Sequence, residues 1–294
     1  MFKNNIRNVL LFAAVSMLVN ITLSIVVGGF GLYKNFELYM ISLIVITVFS
    51  AFVPARMLSG KIQKFKPSVV DEKSKINFLD KILLIIMGFS GCITINLIVA
   101  IISTFFPAIG GGNADISQRS DTYAVIFMII ATALSPAIFE ELGFRKFVMG
   151  NLKDFGDGFA VFFSSLIFGM MHGQLSSILF AFLSGILFAL IYKKTENIVY
   201  TMIVHFMNNA FAECSIALSK NISEEVYGGW MLLFYFSMIV VFITSLIIVK
   251  KKMPDFFKFS NNSLLISADK WKITLSRPIF WSFVITVIMV AVMY

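Results

Sequence analysis

Residues 122–147 read "TYAVIFMIIATALSPAIFEELGFRKF". No side chain from Thr122 to Phe139 is charged at neutral pH, and then Glu140, Glu141 and Arg145 follow in quick succession. At 1.5 Å per residue such a run covers most of the ~30 Å hydrocarbon layer of a bilayer, so the stretch is a membrane helix that carries charge into lipid. An ionisable group there costs roughly 2.5–3.5 kcal/mol even on insertion scales, which makes each one a functional candidate or half of an ion pair.

The apolar part of this pattern recurs along the chain. Of 294 residues, 59% are hydrophobic and 14% charged, and the mean hydropathy is +0.90; a water-soluble domain carries roughly a quarter charged residues. Apolar runs fall near 8–28, 38–55, 79–105, 122–150, 158–173, 175–192, 198–218, 230–249 and 279–294, the fifth and last being the weakest. The expected fold is therefore all-α, a polytopic transmembrane helical bundle of eight or nine spans. Residues 1–294 form a single integral membrane domain, without long linkers or tandem repeats. Lys3 and Arg7 flank the first run as in a signal peptide, but the run is too long for one and "GGFGLYKNF" follows it, so it reads as a retained span.

Positive loops stay cytoplasmic. With the N-terminus inside, the inner loops hold 21 of the 24 Lys and Arg residues, leaving Lys34, Arg119 and Lys220 outside. A multi-pass protein with a cytoplasmic N-terminus is expected, and the same asymmetry accounts for the net charge of +8 without a nucleic-acid partner. The inner loops at 56–78 and 250–277 are Lys-rich, and the second, which opens "KKKMPDFFKF" with basic and aromatic residues alternating, is expected to lie on the anionic inner leaflet of the lipid bilayer. Cys92 and Cys214 sit in apolar runs without metal-site spacing and read as small buried hydrophobes.

Against this background few polar residues stand out: Glu140, Glu141, Arg145 and Lys146 on the fourth run, His172 at the end of the fifth, and His205, Asn208, Asn209 and Glu213 on the seventh. The chain has two histidines, and both are in this set. Counted from the inner turns at 1.5 Å per residue, Glu140, His172, His205 and Asn209 fall within one slab about 10 Å thick. Glu141 and Arg145, four apart, share a helical stripe and can neutralise each other, while Glu140 is turned about 100° away as the free carboxylate. Pro136 cannot donate to the helix, which opens the carbonyl of Thr132. His205 and Asn209 are one turn apart, as are Phe168 and His172; Phe168 reads as packing, with Gly169 and Gly173 allowing close helix approach. A glutamate beside an imidazole can take a proton from water, and an amide with a second imidazole can donate to a developing oxyanion. The set suits hydrolysis of an acyl bond without a covalent nucleophile. Ser164, Ser165, Ser176 and Ser177 lack a His/Asp arrangement and a G-x-S-x-G context.

"EELGFR" at 140–145, "FGMMH" at 168–172 and "HFMNN" at 205–209 resemble, in order, the E-E-x-x-x-R, F-x-x-x-H and H-x-x-x-N motifs of the CPBP intramembrane proteases, the CAAX-processing and bacteriocin-processing or Abi family. The resemblance covers residues 120–215, which would be the catalytic core. It implies an endopeptidase whose cavity opens to the cytoplasmic side and whose peptide or protein substrate enters from there or from the membrane. Glu140 and His172 would activate water, His205 and Asn209 would stabilise the oxyanion, and Glu141, Arg145 and Phe168 would support the site. Some members act on prenylated CAAX-type proteins and others on bacteriocin-like peptides. Glu140, His172 and His205 also make a reasonable zinc set, yet the H-E-x-x-H signature is absent, and the preferred reading requires no cofactor. Two other functions are weighed: a proton-coupled membrane transporter, since intramembrane Glu and His also build proton relays, and a bacteriocin-immunity protein acting by binding, which would need no ionisable residue deep in lipid.

Overall fold

The computed structural model describes residues 2–58, 76–106, 119–259 and 266–293. These residues form helices and turns, with no strand among them. The helices are α1 (Phe2–Gly29), α2 (Phe36–Leu58), α3 (Phe78–Phe105), α4 (Thr122–Phe155), α5 (Asp157–Met170), α6 (Leu175–Thr195), α7 (Ile198–Ser219), α8 (Glu224–Lys252), α9 (Ser267–Leu275) and α10 (Pro278–Met293). Short polar residues start several of them, where the first N–H groups lack intrahelical acceptors. Asn35, Asp121 and Asn197 accept from Leu38, Ala124 and Val199, and Asn77 with Asp80 forms a reciprocal capping box.

Six helices are long and apolar enough to cross a bilayer, or seven if α9 and α10, bent by 74° at their junction, count as one span. Fewer segments pass than the eight or nine expected, for three physical reasons. Helix α5 has 14 residues, about 21 Å, short of the ~30 Å layer. Helix α7 has 22 residues, but its histidine, asparagines and glutamate dilute its apolar content. The last expected span is the second limb of the bent pair.

One apolar cluster joins most of the bundle. Phe12 of α1 packs against Phe144 and Phe147 of α4, with ring centroids 5.4 and 5.3 Å away. Leu84 of α3, Phe168 of α5, Phe188 of α6, Val204 of α7, Val249 of α8 and Phe283 of α10 continue it. Long, apolar α8 keeps little of its surface inside the protein, as a helix bathed by acyl chains would. Cys92 is buried as expected, but Cys214 is exposed, because it faces outward on the peripheral half of α7.

Helices α5 and α6 form a tight hairpin. A Cβ on Gly169 would lie 2.8 Å from the Ile178 carbonyl oxygen and 2.9 Å from Phe182 Cβ, so Gly169 permits the close approach the sequence suggested. Gly173 serves the turn instead, with φ +74°. Gly169→Ala is expected to push the two helices apart at a cost of about 1–3 kcal/mol, read as a lower melting midpoint in detergent. An unchanged midpoint would show that the hairpin has slack.

The stretch 253–259 packs against the rest of the protein. Phe256 is fully buried, and the Lys193 ammonium at the end of α6 donates to the carbonyls of Phe256 (2.9 Å) and Lys258 (2.7 Å). Lys194 pairs with Asp255 at 2.7 Å. Phe257 and Phe259 remain exposed, while Phe256 does not. Most of the other basic loop, residues 59–75, lies outside the described residues.

Candidate active site

Helix α4 is not regular throughout. Its backbone widens into π-type turns over Ile129–Leu134 and again over Leu142–Met149, leaving an ordinary α segment, Ser135–Glu141, between them. Such widenings recur at functional sites because they re-aim side chains and free backbone groups. Pro136 has no N–H for the Thr132 carbonyl four residues earlier. That carbonyl is bonded from outside the helix: Asn209 Nδ2 of α7 donates to it at 3.1 Å. In the second widened segment a Cβ on Gly143 would lie 2.9 Å from the Ala51 carbonyl oxygen, so α2 presses directly on α4 behind the glutamates.

The two glutamates face different surroundings, as successive residues on a helix must. Glu141 Oε2 is 3.3 Å from Arg145 Nε, and both side chains are 0% exposed. The contact is electrostatic, since neither these atoms nor the remaining guanidinium nitrogens find an aligned hydrogen-bond partner. Aromatic faces take up part of the charge: the guanidinium carbon is 4.6 Å from the Phe168 ring centre and 5.5 Å from that of Phe188. Glu140 is 23% exposed and makes no such pairing with Arg145.

His205 joins the two carboxylates. Its Nδ1 donates to Glu141 Oε1 at 3.2 Å, which leaves Nε2 to face Glu140 Oε2 at 3.8 Å. A carboxylate behind an imidazole fixes which nitrogen is presented forward. Phe188 stacks on the His205 ring at 5.2 Å, and Phe168 meets it edge-on at 5.9 Å.

His172 lies just beyond the end of α5, in the turn to α6, and is exposed. Its Nδ1 donates to the Phe168 carbonyl at 2.8 Å, leaving Nε2 outward, and its ring sits 4.9 Å from the Phe168 ring. Phe168 thus packs against both imidazoles and the arginine. Among the described residues no ion pair joins Glu140 to His172; the imidazole that reaches Glu140 is His205. Asn209, one turn along α7, accepts from Asn208 Nδ2 at 3.0 Å and has one N–H left after bonding Thr132. Sequence reasoning missed Phe188, one phenylalanine among 33, and the 2.7 Å contact between Thr132 Oγ1 and Glu213 Oε1.

Among the described residues, no three His, Cys, Asp or Glu side chains stand close enough together to hold a metal ion. The Glu140, His172 and His205 set is therefore not assembled as a ligand set. What the arrangement does offer is a partly open carboxylate, an oriented imidazole and an amide N–H on two packed helices, with a second imidazole across one aromatic ring.

Comparison with known proteins finds similarity over part of the chain. Residues 122–211, which include all three motifs, match the family described as Type II CAAX prenyl endopeptidase Rce1-like. The chain is also 33% identical over 89 residues to "Putative membrane peptidase YdiL" of Bacillus subtilis (strain 168), covering 30% of this chain and 36% of that protein. The match spans about a third of that relative's length. No solved structure matches the chain. The family match thus covers the same segment as the motifs.

Proposed function

We propose that this chain, similar to the CAAX-type membrane proteases through residues 122–211, is an intramembrane endopeptidase that hydrolyses a peptide bond with water activated by Glu140. The observation that carries the reading is the division between two adjacent carboxylates: Glu141 is sealed at 0% exposure against Arg145, while Glu140 stays 23% exposed at 3.8 Å from His205. A base must reach both solvent and substrate, and Glu140 can do so.

In this mechanism Glu140 takes a proton as water attacks the scissile carbonyl, with His172 presenting its free Nε2 from the α5–α6 turn. The oxygen that gains charge is stabilised by the spare N–H of Asn209 and by His205. Glu140 then passes its proton to the leaving amine. Base and oxyanion donors belong on one carbonyl group, and the spacing of Glu140 and His205 suits that demand. Of the two peptide classes expected, the family match favours a prenylated C-terminal peptide over a bacteriocin-like one. The N-terminus is cytoplasmic, and the substrate enters from that side or from the inner leaflet.

The test compares protein termini in cells producing the wild type or Glu140→Gln, together with cleavage of a farnesylated CAAX peptide in proteoliposomes. New C-termini that appear with the wild type and vanish in the variant are expected. Identical termini in the two strains, with no peptide cleaved, would end the protease reading.

A further inference from the structure

Helices α4 and α7 face each other along two matched stripes. Thr132, Pro136 and Glu140 recur every four residues on one, and His205, Asn209 and Glu213 do so on the other. The stripes run antiparallel, so Glu140 meets His205 at one end and Thr132 meets Glu213 at the other. Between them Asn209 reaches the Thr132 carbonyl. Thr132 is therefore held twice by α7, through its carbonyl and through its hydroxyl.

The hydroxyl contact is unusual for a helical threonine, whose ordinary partner is the carbonyl one turn back. Thr132 Oγ1 has that partner, Met128 O at 2.8 Å, and Glu213 Oε1 at 2.7 Å as well. One hydroxyl hydrogen serves both, and the carboxyl draws it toward α7. Thr132 also sits inside the first π-type segment of α4, where the regular helical bonds no longer fix the backbone.

We propose that Glu213 is a positioning residue: by gripping the Thr132 hydroxyl it fixes the Thr132 carbonyl, and through that carbonyl the amide orientation of Asn209, one turn from His205. It acts through Asn209 and touches no reacting atom. The inference rests on the protease reading for its effect on turnover, and on the α4–α7 contacts alone for its effect on structure. Glu213 is partly buried in an apolar helix, where a carboxylate with no task would be selected against on energetic grounds.

The experiment is a double-mutant cycle on the full chain in proteoliposomes, using Glu213→Leu, Thr132→Val, the double variant and the conservative Glu213→Gln. Glu213→Leu and Thr132→Val are each expected to lower kcat about tenfold with KM unchanged, as removal of a bond that matters in the transition state would. The double variant should be no worse than either, and Glu213→Gln, which still accepts a hydrogen bond, should recover to within a few-fold of wild type. Unchanged kcat in Glu213→Leu, additive losses, or failure of glutamine to rescue would overturn the proposal. The same four proteins are melted in detergent. If the wild type cleaves nothing, the protease reading falls, and the clamp is judged on melting midpoints alone: non-additive shifts support it and additive shifts refute it.

Discussion

Glu140→Gln is expected to lower turnover of a cleaved peptide by roughly 10²–10⁴-fold, the range for removing a general base, while the melting midpoint stays close to that of the wild type. Glutamine keeps the shape of the side chain but takes no proton. The fold should tolerate it, because Glu140 is partly exposed and lies 3.8 Å from His205, too far for a direct hydrogen bond. The measurement is kcat on a fluorogenic peptide in proteoliposomes beside a thermal melt. Turnover within threefold of the wild type would transfer the base to another residue.

Arg145→Met is expected to produce the opposite profile, a loss of the fold itself. Removing one partner of a buried pair leaves the other charge uncompensated and typically costs 3–5 kcal/mol, a large share of the 5–15 kcal/mol that holds a native state together. Here the stranded group is Glu141, which is 0% exposed and also orients His205. The guanidinium fills the space between Phe168 and Phe188, so lysine, a compact and strongly hydrated charge, should not substitute well. Pairing Arg145→Met with Glu141→Gln should recover part of the melting midpoint, since the second change removes the stranded charge. A single variant that melts like the wild type would mean that Glu141 has found another counter-charge.

These two residues also show what the sequence makes legible. The i,i+4 spacing of Glu141 and Arg145 is enough to expect their pairing, and Pro136 is enough to expect a freed carbonyl at Thr132. Both expectations follow from local helix geometry, which three or four residues determine. The partner that takes the freed carbonyl, Asn209, lies on another helix, and nothing in the sequence says which way its amide turns. The same limit explains the histidines. Counting residues from the turns places His172 and His205 at similar depth, but only helix packing decides that His205 reaches Glu140 while His172 stands across Phe168. The fate of the basic stretch after α8 was hidden for a related reason: its lysines and aromatics look alike, and burial of Phe256 depends on Lys193, far back in the chain.

The shortness of α5 has a bearing on how water would reach the site in the proposed protease. At 14 residues α5 is some 9 Å shorter than a ~30 Å hydrocarbon layer, so in a span of that thickness its turn would fall where acyl chains cannot satisfy a broken backbone. His172 is exposed, and irregular backbone at membrane depth is tolerated where it lines a hydrated cavity. On the protease reading proposed above, water would reach the site along such a cavity, and membrane thickness, set by lipid chain length, would tune that access.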